Sequence, residues 1–344
     1  MANKQELADA RVLLEVEGLQ KFFYLRKRRF RGTPTVVKAV DGVSFTMREG
    51  EFLGIVGESG SGKTTLGLSV LRAHAPTAGK IMLHLPEQSY DLAQLSGEEL
   101  RPLRKEMQMI FQDPFSSLNP RMSILDIVSE PLRLNGINTG VEEAVRDMLV
   151  QVGLSPEIML RYPHAFSGGQ RQRIAIARAL ILNPRIIVAD ECTSALDVSV
   201  QAQILKLLEG LRRSHNVSFL FISHNLAVIE YLCDRVLVMY LGRLVETADT
   251  EVLFQTPKHP YTAALLAAVP KPDPRVRSDD KAIYDGDIPD PANPPPGCAF
   301  HPRCPHAKEI CMKVVPSLRE VSPGHEVSCH FADDIILEGV KIAN

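Results

Sequence analysis

The chain has 344 residues, 45% of them apolar, which is ample for buried cores and long enough for roughly two domains. Its formal charge of -2 supplies no basic field for nucleic acid, and with no Trp and few aromatics it offers no base-stacking platform. The apolar runs are strand-length, well short of the ~20 residues of a membrane helix, and the polar, mixed-charge stretch from Met1 to Arg11 is unlike a signal peptide. A soluble or peripheral protein of a reducing cytoplasm is expected.

Taken in chain order, Val12 to Val16 and Phe45 to Met47 read as strands of a β-rich N-terminal segment. Between them runs Arg26-Lys27-Arg28-Arg29-Phe30-Arg31, a solvated hairpin tip on the plainer reading and a contact for anionic lipid headgroups on the sharper one. Phe52 to Val56 is a short apolar strand that ends in a Gly-rich loop, and Lys63 to His74 follows as a helix. From about residue 113 to 180 the pattern becomes helical. Val141, Val145, Met148, Leu149 and Val152 make one apolar face, and the region reads as a subdomain inserted into an α/β core. Strands are expected again at Ile186–Ala189 and Phe219–Ile222. Between them Asp197 can cap a helix that carries Val200, Ile204, Leu207, Leu208 and Leu211. Val236 to Tyr240 and Arg243 to Glu246 flank Leu241-Gly242 as a hairpin. Such alternation implies a parallel sheet covered on both faces. From Pro257 onward proline and charge rise, and an irregular extension is expected over 257–344.

Three elements carry chemistry. Gly57-Glu58-Ser59-Gly60-Ser61-Gly62-Lys63-Thr64 fits G-x-x-x-x-G-K-[ST], followed by Thr65. Backbone N–H groups in such a loop form a concave nest for phosphate, and the helix that follows points its positive end there. Lys63 would reach the β- and γ-phosphates of ATP, and the Thr64 hydroxyl would bind Mg²⁺. Next, Asp190 and Glu191 end a buried strand, where ligands gather in open α/β sheets; Asp190 would hold Mg²⁺ and Glu191 would act as general base on water. Third, Ser167-Gly168-Gly169-Gln170 opens a helix with a capping Ser and exposed N–H groups suited to an anion.

With Gln112 in Phe111-Gln112-Asp113-Pro114, with Ser194-Ala195-Leu196-Asp197 and with His224, these elements stand in the order of the nucleotide-binding subunits of ATP-binding-cassette transporters, which the sequence resembles over Val12 to about Val269. Phe166 stands where that family more often has Leu, and Cys192 where it usually has proline. The resemblance implies an α/β fold with a P-loop NTPase core and parallel sheet, an N-terminal antiparallel β subdomain, the inserted helical subdomain and a C-terminal cysteine-containing extension. The cassette would span 1–256. It assigns Gln112 to Mg²⁺ and the attacking water, His224 to the γ-phosphate and support of Glu191, and Phe23 to adenine, with Tyr24 as the alternative. It further implies that Ser167, Gly168, Gly169 and Gln170, with Asp197, contact ATP bound to a second chain in a head-to-tail dimer.

The tail narrows the resemblance. His259-Pro260-Tyr261-Thr262, Pro294-Pro295-Pro296-Gly297-Cys298 and Arg303-Cys304-Pro305 resemble the extension of dipeptide and oligopeptide importers. Cys298, Cys304, Cys311 and Cys329 stand as C-x5-C-x6-C-x17-C, a set that could hold a [4Fe–4S] cluster or zinc, and the resemblance favours the cluster; stapling a proline-rich segment is the first reading of its role and a redox sensor the second. An ATPase coupled to transport is therefore expected at the cytoplasmic face of the membrane. It would pair with a paralogous ATPase subunit rather than a second copy, beneath two transmembrane permease subunits served by an extracytoplasmic substrate-binding protein. Peptides are the expected cargo, with nickel, glutathione or oligosaccharides as alternatives. A soluble cassette ATPase without a transporter is the reading of a different class.

Overall fold

A computed structural model describes residues 7, 9–25, 35–113, 117–268 and 289–340. The basic run 26–31, Pro114 and the prolines at 270, 272 and 274 lie outside the described residues. The chain divides into two compact units, each assembled from separated segments.

The first unit comprises Met1–Leu13, Met47–Phe52 and Gln94–Ile222. Its strands β6 (Met107–Ile110), β7 (Ile186–Asp190) and β8 (Ser218–Ile222) run parallel, with β7 in the middle. Every residue of β7 and β8 is buried, as runs of Ile, Val, Phe and Leu require when helices cover a parallel sheet. Phe52 stacks on Phe219 with centroids 4.6 Å apart, and each ring so buried contributes roughly 1.5–3 kcal/mol. The helical subdomain carries α2 (Ile124–Leu134), capped by Ser123, then α3 (Val141–Gln151) and α4 (Gly168–Leu180). On α3 the buried residues are Val145, Met148 and Leu149, the apolar stripe expected from spacing. Helix α5 (Val198–His215) buries Ile204, Leu205, Leu208 and Leu211. Asp197 occupies its N-cap position, but its side chain makes no capping hydrogen bond, contrary to expectation.

The second unit comprises Leu14–Thr46, Leu53–Ala93 and Ser223–Asn344. One sheet is the expected antiparallel subdomain, ordered β2-β1-β4-β5 from β1 (Val12–Leu25), β2 (Thr35–Arg48), β4 (Ala78–His84) and β5 (Ser89–Asp91). The other strands run in the order β11 (Arg319–Ser322), β12 (His325–Val327), β10 (Arg243–Asp249), β9 (Arg235–Tyr240), β3 (Phe52–Val56). Here β3 (Phe52–Val56) is parallel to β9 (Arg235–Tyr240), and β9 turns through Leu241 and Gly242 into antiparallel β10 (Arg243–Asp249). Both turn residues have positive φ, 45° and 81°, the backbone a two-residue type I′ hairpin needs.

The extension is not wholly irregular. Strands β11 (Arg319–Ser322) and β12 (His325–Val327) form, and β12 pairs antiparallel with β10 through Glu246↔Val327 and Thr247↔Glu326. The edge of a sheet is thereby covered by the chain's own tail. Helix α1 (Lys63–Val70) is also shorter than expected, because Arg72 turns to φ 55° just beyond it. Among the described residues no helix is long and apolar enough to cross a membrane.

Candidate functional site

In the second unit, β3 delivers the chain into the loop Gly57 to Thr64, and α1 begins at Lys63. Gly57, Gly60 and Gly62 all have positive φ, 150°, 79° and 102°. A Cβ at Gly57 would lie 2.2 Å from the Met239 carbonyl oxygen, and one at Gly62 would lie 2.0 Å from that of Ala39. The loop is thus wrapped against neighbouring backbone at positions only Gly fits. Lys63 is buried. Its ammonium donates to the Gly57 carbonyl at 2.7 Å, the Glu58 carbonyl at 2.9 Å and Ser61 Oγ at 3.5 Å. The Lys63 ammonium is thus held inside the loop by the loop's own carbonyls. Thr64 is exposed on the first turn of α1 and Thr65 half-buried behind it.

Phe23 is half-buried in β1, edge-on to His74 at 5.7 Å, with the Lys21 ammonium 5.0 Å from its ring centroid. Tyr24, on the next position of the strand, is 62% exposed. His224 is exposed, next to Ser223, whose N–H donates to the Ile55 carbonyl at 3.2 Å.

In the first unit, Asp190 is buried at the carboxyl end of β7 and Glu191 follows it half-buried. Glu191 adopts φ 44°, a left-handed backbone unusual for a residue with a side chain, and its N–H donates to the Ile222 carbonyl at 2.9 Å. Strain of this kind gathers where a side chain must be aimed. The Glu191 carboxylate accepts from Gln112 Nε2 at 2.9 Å. The sequence placed both residues at the site without indicating this bond, which joins positions 79 apart. Beside them Cys192 is buried, and desolvation, with the Asp190 charge as a lesser cause, pushes its thiol up to about 12. It is an inert packing group.

Ser167 caps α4 in a capping box: its Oγ accepts from Gln170 N–H at 3.4 Å and Gln170 Oε1 accepts from Ser167 N–H at 3.1 Å. Gly169 packs on Val200, whose Cγ1 would be 2.5 Å from an added Cβ. Ser167, Gln170 and Asp197 are all exposed.

In the C-terminal part of the second unit, Cys298, Cys304, Cys311 and Cys329 line one cavity of about 20 Å³ with Phe300 and Phe331. All four are free thiols. Desolvation pushes Cys298 and Cys304 up to about 11 and raises Cys329, and the neighbouring cysteines add to each shift. Among the described residues no three His, Cys, Asp or Glu side chains are grouped to hold a metal ion. Two features of this region were not expected. Glu246, fully buried on β10, accepts from the N–H groups of Lys258 and His259 and pairs with His325 Nε2 at 2.7 Å. Arg303 and Tyr261 both reach the phosphate-type loop at Glu58. The only sequence signal was their place in the segments His259-Pro260-Tyr261 and Arg303-Cys304-Pro305.

Comparison with known proteins agrees with this geometry. Residues 40–194 match the family model described as ABC transporter, and residues 245–311 match that described as oligopeptide/dipeptide transporter, C-terminal region. The chain is 54% identical over 319 residues to a Brucella ovis protein named as a peptide import ATP-binding protein, covering 92% of this chain and 97% of that one. It is 48% identical over 327 residues to the oligopeptide transport ATP-binding protein AppF of Bacillus subtilis, covering 94% and 98%. Among solved structures it resembles a dimeric ATP-binding cassette in a post-hydrolysis state bound to ADP and Pi, with TM-score 0.59 and 26% identity over 69% of this chain and 99% of that one. A Clostridium perfringens cassette that is part of an ABC transporter complex gives TM-score 0.58 and 26% identity over 71% and 90%. The chain belongs to the ABC transporter family of ATP-hydrolysing cassettes, in the group that carries the oligopeptide/dipeptide C-terminal region.

Proposed function

We propose that this chain binds and hydrolyses ATP at the cytoplasmic face of a membrane to power peptide import through two permease subunits. The observation that carries the reading is the buried Lys63 ammonium seated in the Gly57–Thr64 nest. On phosphate binding, Lys63 exchanges carbonyl partners for the β- and γ-phosphates, while the loop N–H groups and the N-terminus of α1 hold the remaining oxygens. Phe23 supplies a face for adenine. Thr64 of the second unit offers a hydroxyl, and Gln112 and Asp190 of the first an amide and a carboxylate oxygen; these are donors Mg²⁺ takes, and the ion, when bound, would neutralise phosphate charge. Glu191 takes the proton of the attacking water, oriented by its bond from Gln112. His224 steadies the γ-phosphate.

The exposure of Ser167, Gln170 and Asp197 supports contacts outside this chain. Ser167, Gly168, Gly169 and Gln170 would close an ATP site on a paralogous subunit, with Asp197 beside them. Division of the chain into a cassette over 1–256 and an extension over 257–344 remains our reading of its function. Transport assays of the complex reconstituted with permease subunits and a substrate-binding protein test the cargo. Di- or oligopeptides should stimulate ATP hydrolysis, and stimulation by nickel, glutathione or an oligosaccharide instead would overturn the peptide assignment.

We propose that Cys298, Cys304, Cys311 and Cys329 hold a [4Fe–4S] cluster, with zinc as the alternative. What supports the reading is that the four thiols line one cavity. Zinc needs its sulfurs about 2.3 Å from one centre, whereas a cuboidal cluster takes one thiolate on each iron. When bound, the cluster would staple a proline-rich segment with little apolar surface of its own. Anaerobic purification should give iron and sulfide in equal amounts with visible cluster absorbance; zinc without iron would sink the assignment.

A further inference from the structure

The second residue of the phosphate-type loop is held from outside the loop. Arg303 makes a two-pronged bond to the Glu58 carboxylate, at 2.8 and 3.0 Å, with Arg303 10% and Glu58 25% exposed. Paired hydrogen bonds of a guanidinium to a carboxylate fix direction as well as distance, and this pair is shielded enough to escape the weakness of exposed ion pairs. The Glu58 N–H donates to the Tyr261 hydroxyl at 2.8 Å. Phe300 packs against both Tyr240 and Tyr261, with centroids 5.3 and 5.4 Å away, and the Arg303 guanidinium lies 5.8 Å from its ring. The Glu58 carbonyl, in turn, is one of the acceptors that seat the Lys63 ammonium.

Arg303 has its own anchor. It sits on a 3₁₀ turn, His301–Arg303, between two of the four cysteines. His301 donates to the Cys298 carbonyl from its N–H, and its Nδ1 lies 2.9 Å from the same oxygen. Arg303 N–H donates to the Phe300 carbonyl and Cys304 N–H to that of His301. Cys298 N–H donates to the Cys311 carbonyl at 2.8 Å, beside Gly297, where an added Cβ would lie 2.3 Å from that oxygen. The turn that aims Arg303 is therefore the same backbone that brings Cys298, Cys304 and Cys311 together.

We infer that Arg303 and Tyr261 are positioning residues for the phosphate loop, acting through Glu58, so that closure of the four-cysteine element sets the affinity of this chain for Mg·ATP. This rests on the nucleotide reading above. Glu58 is fixed through its side chain and its N–H, which leaves its carbonyl and the Lys63 head in one place. Loosening the clamp lets the loop sample other arrangements, and ordering it again then weakens phosphate binding.

The test is Mg·ATP affinity of the full-length chain by calorimetry, with thermal melting to confirm folding. Glu58→Gln and Arg303→Gln should each weaken binding about tenfold, and Arg303→Lys less. The double variant Glu58→Gln/Arg303→Gln should be no worse than the poorer single, because both break one interaction. Cys304→Ser should also weaken binding, and should add nothing in the Glu58→Gln background. Glu58→Gln, which keeps size and is the least disruptive change, binding within twofold of the wild type would overturn the inference. So would losses that multiply in either double variant. Wild-type protein that bound no Mg·ATP would overturn the nucleotide reading and the clamp together, whereas normal wild-type binding with an unaffected Glu58→Gln would overturn the clamp alone.

Discussion

Glu191→Gln, in the assembled transporter, should lower ATP turnover by about 10²–10⁴-fold while leaving Mg·ATP binding within a fewfold of the wild type. The substitution keeps the size of the side chain and can keep the φ 44° backbone that aims it, with the N–H still donating to the Ile222 carbonyl. The amide oxygen can go on accepting from Gln112, which now reaches the carboxylate at 2.9 Å. What is lost is the capacity to take a proton from water. Binding without turnover is therefore the expected signature, measured as phosphate release beside equilibrium nucleotide binding. A variant that turned over within threefold of the wild type would remove Glu191 from the role of base.

Gly62→Ala should weaken Mg·ATP binding by roughly a hundredfold. Two costs add. A side chain at φ 102° is strained by about 1–2 kcal/mol, and the methyl would lie 2.0 Å from the Ala39 carbonyl oxygen, forcing a backbone shift that costs a further ~1–3 kcal/mol. About 2.7 kcal/mol corresponds to a hundredfold in affinity. Gly60 supplies the comparison: it also has positive φ, 79°, but an added Cβ there meets nothing within 4 Å. Gly60→Ala should thus lose about tenfold at most. Equal losses at the two positions would mean that the close approach to Ala39 has no bearing on the shape of the loop.

These expectations divide according to what was legible before the structure. The strand Ile186–Asp190, the helix over Val141–Gln151 and the Leu241-Gly242 hairpin follow from local rules: unbroken apolar runs, a 3.6-residue stripe, and a turn that demands positive φ. The capping expectation at Asp197 failed because a side chain that suits a cap need not be spent on one; here it stays out of the helix end. The tail beyond Pro257 read as irregular because β11 and β12 have only four and three residues. Strands so short carry no detectable alternation, and β12 exists because β10 offers it an edge.

The sequence by itself determined which residue types stand in the loop, at the carboxyl end of β7 and in the four-cysteine set, since each is a pattern at short spacing. Only the tertiary structure decided that Glu191 is bonded by Gln112, that Glu246 is buried as the acceptor for the chain at Lys258 and His259, and that Arg303 closes on Glu58 across 245 positions. The physical reason is common to all three. A charged side chain in a sequence is by default a solvated one, and which of them is withdrawn from water and given a partner depends on how distant segments are packed.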